Sequence, residues 1–264
     1  MNNTIALPLI ITLFAGMSTL LGGFITFFVK RDNLKALSVA LGFSAGVMVY
    51  VSLNELMAEA PEMLSAFYNP MMSKVFAFLG FAVGIGIAIL IDYLVPDHIE
   101  SDFLSNDRRK RVEQKKKIKR AGLITALAVS LHNFPEGIAT FLVLTEDLAL
   151  GIPVALAIAI HNIPEGIAIA LPIFQATGKK RLAILYTFLS GISEPIGGLI
   201  GILLLKFLLP AQTIGFMTAA VAGIMVYISF DTLLPLAREY GENHHVIIGI
   251  VSGMLIMSFG LIFL

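Results

Sequence analysis

The chain has 264 residues, of which 57% are hydrophobic and 14% charged, and its formal net charge at pH 7 is zero. Because soluble proteins carry roughly 25% charged residues, this composition excludes an ordinary water-soluble domain. The zero net charge gives no sign of a nucleic-acid partner. The absence of cysteine excludes disulfides, thiolate metal sites and cysteine nucleophiles.

Eight long apolar runs dominate the sequence. Each reaches the roughly 20 residues that a helix needs to cross the hydrocarbon core of a membrane. The runs do not alternate apolar and polar residues, so they predict helices rather than the strands of a barrel. We number the predicted helices spans 1 to 8, covering residues 5–29, 36–58, 74–95, 122–144, 151–175, 182–209, 214–236 and 246–264. The predicted fold is an all-α integral membrane protein, with one polytopic domain over residues 1–264.

Basic residues concentrate on one side of this predicted bundle. The loop after span 3, about residues 96–121, holds nine of the eighteen Lys and Arg residues, and shorter basic stretches follow spans 1, 5 and 7. Only Lys74 and Lys206 fall on or near the opposite side. By the positive-inside rule the basic loops are cytoplasmic, which places both termini outside the plasma membrane of the cell.

Two pairs of segments repeat along the chain. AGVMVYVSLN (45–54) is matched 177 residues later by AGIMVYISFD (222–231), and TLFAGMSTLLGG (12–23) is matched 175 residues later by TFLSGISEPIGG (187–198). Spans 1 and 2 therefore resemble spans 6 and 7. By extension span 3 is expected to pair with span 8, so that spans 1–3 correspond to spans 6–8, and spans 4 and 5 pair at the centre. Since five helix steps reverse the chain direction, the predicted repeat is inverted. Inverted repeats are typical of secondary transporters, whose substrate site lies near the bilayer midplane.

Spans 4 and 5 carry the same polar motif. Span 4 contains LHNFPEGIA (131–139), and span 5 contains IHNIPEGIA (160–168). Each histidine lies about ten residues into its helix, or roughly 15 Å deep at 1.5 Å per residue. That depth is the middle of a hydrocarbon core about 30 Å thick. Consecutive helices run antiparallel, so the two motifs are expected to meet head to tail at the bilayer centre.

The spacing within each motif places His, Asn and Glu on one helix face. Glu194, about twelve residues into span 6, adds a third carboxylate at similar depth, and no Lys or Arg lies there. A buried carboxylate in a membrane is functional by default, and a divalent cation is the expected counter-charge. Imidazole with carboxylate suits Zn²⁺, Fe²⁺, Mn²⁺ or Co²⁺. The candidate metal ligands are His132, Asn133, Glu136, His161, Asn162, Glu165 and Glu194.

Seven ligands exceed the four of one tetrahedral zinc, so two adjacent metals bridged by Glu136 and Glu165 would use the set. Four further polar residues lie nearer to helix ends, where lining of the metal path and ordinary interfacial placement both stay open: Asn54, Glu55, Glu59 and Asp231. A weaker metal-binding group is available in the loop after span 3: Asp97, His98, Glu100 and Asp102. The remaining histidines, His244 and His245, are expected to be solvated.

At these residues the chain resembles the ZIP (Zrt-, Irt-like protein) metal transporters over essentially its full length. The resemblance rests on the two HNxPEG motifs, on ISE in span 6, and on eight helices with a long loop after span 3. It implies uptake of zinc, with iron, manganese and cobalt, into the cytoplasm and no prosthetic group. It also implies a binuclear centre in two ligand sets: His132, Glu136, His161 and Glu165 for one metal, and Asn133, Glu136, Asn162, Glu165 and Glu194 for the other. Many relatives have a histidine-rich loop after span 3, which here holds only His98, so a metal-capturing loop is not expected.

An intramembrane zinc-dependent hydrolase is the alternative function. Such a site is expected to have H-E-x-x-H, with two histidines on one turn and a free glutamate as base. Here each helix offers one histidine and no distinct base, so no catalytic residue is expected. A proton or sodium carrier using the same carboxylates is a third interpretation, against which the paired imidazoles favour a metal. The lipid bilayer is the expected environment, while a homodimer, proton coupling and the mode of alternating access stay open.

Overall fold

A computed structural model describes residues 3–30, 33–94, 106–146, 148–207, 212–241 and 243–263. Those residues are helical apart from short connections, and none of them forms a strand. Eight helical stretches among them are long and apolar enough to cross a membrane. The predicted all-α membrane fold is therefore confirmed.

Six of the spans are single helices. They are span 1 over Asn3–Ile25, span 3 over Pro70–Leu94, span 4 over Asn106–Glu146, span 5 over Leu148–Thr177, span 6 over Lys180–Phe207 and span 8 over Asn243–Gly260. Short 3₁₀ turns, Thr26–Phe28 and Leu261–Phe263, follow spans 1 and 8.

Spans 2 and 7 each contain one π-helical turn between two α-helices. Span 2 consists of Leu34–Val51, the π turn Ser52–Leu56, and Met57–Ser65. Span 7 consists of Gln212–Ile228, the π turn Ser229–Leu233, and Leu234–Tyr240. The two π turns lie at equivalent positions of the 177-residue repeat, and such turns are frequent at functional sites.

The segment predicted as a loop over residues 96–121 is helical from Asn106 onward. Its run of Lys, Arg, Gln and Glu consists of good helix formers, so span 4 continues beyond the apolar part of the sequence. The charges mark where the membrane part of span 4 begins and not where its helix begins. The candidate metal group Asp97, His98, Glu100 and Asp102 lies outside the described residues.

The spans pack in two sets of four. Spans 1, 4, 5 and 6 contact one another closely, and we call them the motif set because they include both HNxPEG helices. Span 2 packs on span 8 and span 3 on span 7, while spans 2 and 7 also contact each other; we call these four the π-turn set. Contacts between the sets are sparser and involve mainly span 2 with span 5 and span 4 with span 7.

The motif glycines bring helix backbones together. A Cβ on Gly137 would collide with the main-chain carbonyl of Glu194 in span 6, and a Cβ on Gly166 would collide with that of Thr19 in span 1. Only glycine allows this approach, as at other tight membrane-helix crossings. Thr19 and Glu194 are equivalent positions of the 175-residue repeat, so the two crossings agree with the predicted pairing. The inversion of the repeat itself stays a prediction.

Large apolar side chains cover the outer faces of the bundle. Phe14, Phe78 and Leu255 are all more than 60% exposed. Such a surface is unfavourable in water and typical of contact with lipid. The seven candidate metal ligands instead lie on the buried faces of the motif set.

Replacing Gly137 by alanine is expected to destabilise the protein by about 1–3 kcal/mol, because the added methyl group overpacks the crossing with span 6. Gly86 is the matched control, since a Cβ there meets no atom within 4 Å. Gly86→Ala is expected to be neutral or to gain up to about 1 kcal/mol from helix propensity. Thermal unfolding of the two variants in detergent, followed by fluorescence-detected size exclusion, measures the difference. Equal midpoints would contradict the crossing.

Candidate metal centre

The seven predicted ligands lie on three helices of the motif set. Span 4 supplies His132, Asn133 and Glu136, span 5 supplies His161, Asn162 and Glu165, and span 6 supplies Glu194. Six of them are at most 2% exposed, and the Glu136 side chain is 9% exposed. The antiparallel motif helices place these polar groups in one buried cluster, which we call the polar cluster.

Each histidine pairs with the glutamate of the other motif. His132 Nε2 lies 3.0 Å from Glu165 Oε1, and His161 Nε2 lies 2.8 Å from Glu136 Oε1. Within span 4, His132 Nε2 is 3.8 Å from Glu136 Oε2. The two contacts between the helices are therefore shorter than the contact within span 4, and they join the two motifs directly.

The two asparagines form hydrogen bonds through their amide nitrogens and not through their amide oxygens. Asn133 Nδ2 donates to the main-chain oxygen of Ser190 at 3.2 Å. Asn162 Nδ2 donates to the main-chain oxygen of Ala15 at 3.0 Å and to Glu194 Oε2 at 2.8 Å. Ala15 and Ser190 are equivalent positions of the 175-residue repeat, so related carbonyls orient both amides. Once the nitrogens are engaged, each Oδ1 remains as an acceptor.

The polar cluster holds more acceptors than donors. Among the described residues, six of its buried oxygens have no hydrogen-bond partner: Asn133 Oδ1, Asn162 Oδ1, Glu136 Oε2, both oxygens of Glu165, and Glu194 Oε1. Buried polar atoms are normally satisfied, so this excess is a strong departure. In the described part of the chain, the ion pairs of Glu136 and Glu165 join them to His132 and His161. Oxygen and imidazole donors of this kind fit a divalent transition metal.

The side chains are not arranged as a finished coordination shell. Across the described residues, no three His, Asp or Glu side chains form a group positioned to hold a metal ion. The imidazole nitrogens and carboxylate oxygens are paired with each other instead. Binding of a metal therefore requires these pairs to open and their atoms to turn toward the ion.

A cavity of about 140 Å³ reaches the polar cluster from one end of the bundle. Glu136 and His161 of the polar cluster line this cavity, together with Glu55 and Glu59 of span 2. Four further lining residues lie near the ends of spans 2, 4, 5 and 7 that meet on this side of the bundle: Met63, Val143, Val154 and Thr218. We call this end of the bundle the cavity end, and the end with Arg120 and Lys179 the basic end.

The polar residues for which the sequence left a role in the metal path open lie in different environments. Glu55 and Glu59 line the cavity, whereas Asn54 is exposed and donates to the main-chain oxygen of Tyr50. Asp231 is exposed on the π turn of span 7. His244 is exposed at the start of span 8.

Sequence reasoning missed a link between the two helix sets. Ser44 of span 2 is fully buried, and its hydroxyl donates to the main-chain oxygen of Pro164 at 2.8 Å. Pro164 belongs to the HNxPEG motif of span 5, so the π-turn set supports the motif backbone directly. An isolated serine in an apolar run carries no signal that would have found this contact.

Known proteins of similar sequence share one description. The sequence model of a protein family described as "ZIP Zinc transporter" matches residues 97–260 of this chain. The chain is 46% identical to "Zinc transporter ZupT" of Clostridium perfringens, over 98% of this chain and 96% of that protein. It is 47% identical to the protein of that name from Chlorobium chlorochromatii, over 99% of each chain, and 46% identical to that of Streptococcus mutans, over 96% of each.

Replacing Asn162 by alanine removes the donor that binds Glu194 Oε2. We expect the metal-free protein to lose about 1.5–3 kcal/mol of stability, because hydrogen bonds to charged groups are worth that much. Asn54→Ala is the control, since that amide is exposed and its loss is expected to cost less than about 0.5 kcal/mol. Thermal midpoints recorded in a chelating buffer compare the two. An Asn162→Ala protein as stable as Asn54→Ala would show that the amide does not support Glu194.

Proposed function

This chain belongs to the ZIP zinc transporter family, and we propose that it carries Zn²⁺ across the cell membrane through the polar cluster. Six buried oxygens that accept no hydrogen bond from the described residues, beside two imidazoles, are the observation that carries the proposal. Such a group is costly inside an apolar bundle unless a cation binds it. The transported metal is therefore the missing counter-charge, and it is the substrate and not a resident cofactor.

A binuclear arrangement accounts for the whole ligand set. The two oxygens of Glu136 lie apart, Oε1 at 2.8 Å from His161 Nε2 and Oε2 at 3.8 Å from His132 Nε2, so each oxygen is available to a different metal once these contacts open. We assign His132, Glu136, His161 and Glu165 to one metal, and Asn133, Glu136, Asn162, Glu165 and Glu194 to the second. The orientation of both asparagine oxygens supports the second set.

The donor types also bear on selectivity and release. Nitrogen and oxygen ligands without thiolate suit Fe²⁺, Mn²⁺ and Co²⁺ as well as Zn²⁺, so we propose that these ions are carried too. A transport site must bind its ion strongly enough to take it up and weakly enough to let it leave. The cross-motif His–Glu pairs help release, because each ligand regains a partner as the metal departs.

The direction proposed is from the cavity end to the basic end. The positive-inside rule places the basic end in the cytoplasm, so the cavity faces outward and transport is uptake. Basic side chains at that end include Lys117, Arg120 and Lys179, while Met63 and Thr218 line the opposite cavity. The matched π turns and motif-glycine crossings support an inverted repeat, whose two helix sets would move against each other.

The hydrolase alternative gains no support from these observations. The similar proteins are named zinc transporters, and the family is one of transporters and not of enzymes. Both imidazoles are already paired with carboxylates, and neither glutamate is set apart as a general base.

The decisive test is uptake of metal by purified protein in proteoliposomes, comparing Zn²⁺, Fe²⁺, Mn²⁺ and Mg²⁺. We expect saturable zinc uptake that falls to background in His161→Ala and in Glu165→Ala, because each change removes a ligand at the cluster centre. His244→Ala, which removes an exposed histidine, is the matched control and is expected to transport normally. All variants are checked for folding by size exclusion.

Normal zinc uptake in both cluster variants would overturn the site assignment. Absence of uptake of every ion by folded wild-type protein would overturn the transport proposal, and cleavage of peptides and lipids would then be assayed.

Topology is tested by single cysteines, which this cysteine-free chain makes simple to interpret. Phe67→Cys lies in the exposed turn between spans 2 and 3, and Lys179→Cys in the exposed turn between spans 5 and 6. A membrane-impermeant maleimide applied to intact cells is expected to label Phe67→Cys at once and Lys179→Cys only after permeabilisation. The reverse labelling pattern would show that the protein has the opposite orientation in the membrane, with the cavity open to the cytoplasm.

A further inference from the structure

An ion pair joins two helices at the basic end of the bundle. Arg120 Nη2 lies 3.2 Å from Asp92 Oδ1, and the same nitrogen donates to the main-chain oxygen of Asp92 at 2.9 Å. The two side chains are 30% and 27% exposed. One guanidinium therefore engages both the side chain and the backbone of Asp92, in a largely buried setting where salt screens poorly.

The pair connects the motif set to the π-turn set. Arg120 lies in span 4, which carries His132 twelve residues later, and Asp92 lies in the last turn of span 3. At 1.5 Å per residue, Arg120 sits roughly 18 Å along the same helix from the metal ligand. Spans 3 and 4 make few other contacts, so this ion pair is a principal link between them.

Span 7 places a tyrosine near the same ion pair. Tyr227, just before the π turn, hydrogen-bonds with Asp231 on that turn and interacts electrostatically with Asp92 and Arg120. The carboxylates of Asp92 and Asp231 belong to the π-turn set, whereas the cation Arg120 belongs to the motif set. The ion pair therefore lies at the basic end of the boundary between the two sets.

A neighbouring ion pair differs in its setting. Lys117 Nζ lies 3.5 Å from Glu239 Oε1, one turn from Arg120 on span 4, but the side chains are 56% and 45% exposed. Exposed pairs of this kind contribute little because water and salt screen them. It is a matched control for the Arg120 pair, with the same helix and the same charge.

We propose that the Arg120–Asp92 ion pair is a latch that keeps the basic end closed while the cavity end is open. While it is formed, a fixed positive charge stands on the path between the sets and repels a departing Zn²⁺. When the sets separate, Arg120 leaves with span 4, and Asp92 remains as a carboxylate that attracts the metal from the cluster toward the basic end. This inference rests on the transport function proposed above.

The test uses two reporter cysteines on span 4, each in the otherwise cysteine-free protein. Ala128→Cys is buried between Arg120 and His132, in the apolar core that includes residues of both sets. Ala139→Cys lines the cavity on the other side of the polar cluster. Labelling rates with a soluble maleimide are measured for purified protein, without zinc, so the readout does not depend on transport.

Arg120→Gln is expected to raise the labelling rate of Ala128→Cys at least tenfold and to lower that of Ala139→Cys. This reciprocal change reports a shift from the cavity-open to the basic-end-open state. Lys117→Gln is expected to change neither rate. The exchanged pair Arg120→Asp with Asp92→Arg is expected to restore both rates toward the unmodified protein, since the attraction is re-formed with reversed charges.

Three outcomes would overturn the latch: unchanged rates in Arg120→Gln, a rise at both reporters, which means general loosening, or equal effects of Arg120→Gln and Lys117→Gln. Zinc uptake by the same variants separates this inference from the proposed function. Reciprocal labelling in a protein that transports no zinc supports the latch and contradicts the proposal that Zn²⁺ is the transported ion. Normal zinc uptake with unresponsive labelling contradicts the latch and leaves the transport function standing.

Discussion

Burial of Glu136, Glu165 and Glu194 in the middle of an apolar bundle is the constraint on which the rest of the structure depends. A charged group at the centre of a membrane costs about 3 kcal/mol on insertion scales and more in simulations. The protein offsets part of this cost with two imidazoles and with the amide of Asn162. We propose that the remaining acceptors bind the transported cation, so that an arrangement unfavourable for stability is the one that transport requires.

The polar cluster forms only because the backbones of neighbouring helices approach each other closely. Gly137 and Gly166 allow spans 6 and 1 to cross the motif helices, and those crossings bring the carbonyls of Ser190 and Ala15 to the asparagine amides. Packing therefore sets the direction of the amide oxygens without a dedicated side chain. From the other set, Ser44 satisfies the carbonyl of Pro164, which ties span 2 to the backbone of a motif.

The sequence predicted the elements that depend on local pattern. Eight apolar runs gave the spans, and the two HNxPEG motifs gave the candidate ligands, because helix spacing fixes which residues share a face. Spacing along one helix could not reveal that His132 lies closer to Glu165 than to Glu136, since that distance depends on how two helices pack. The helical start of span 4 at Asn106 was missed for a different reason: charge reports the membrane boundary, whereas helix propensity continues through it.

The two halves of the repeat are more alike in their backbone crossings than in the charges of their side chains. Position 194 carries a glutamate that faces the polar cluster, and its equivalent, Thr19, donates its hydroxyl back to the carbonyl of Gly16 on its own helix. The cluster therefore contains an odd number of carboxylates, three, around ions that each bring two positive charges. One zinc leaves a formal charge of minus one and two zincs leave plus one, with neutral imidazoles. If the proposed metals bind there, the site is electroneutral only when a monovalent ion, such as a proton, is gained or given up with the metal. A fourth carboxylate at position 19, in place of the threonine, would balance two zinc ions without any such ion.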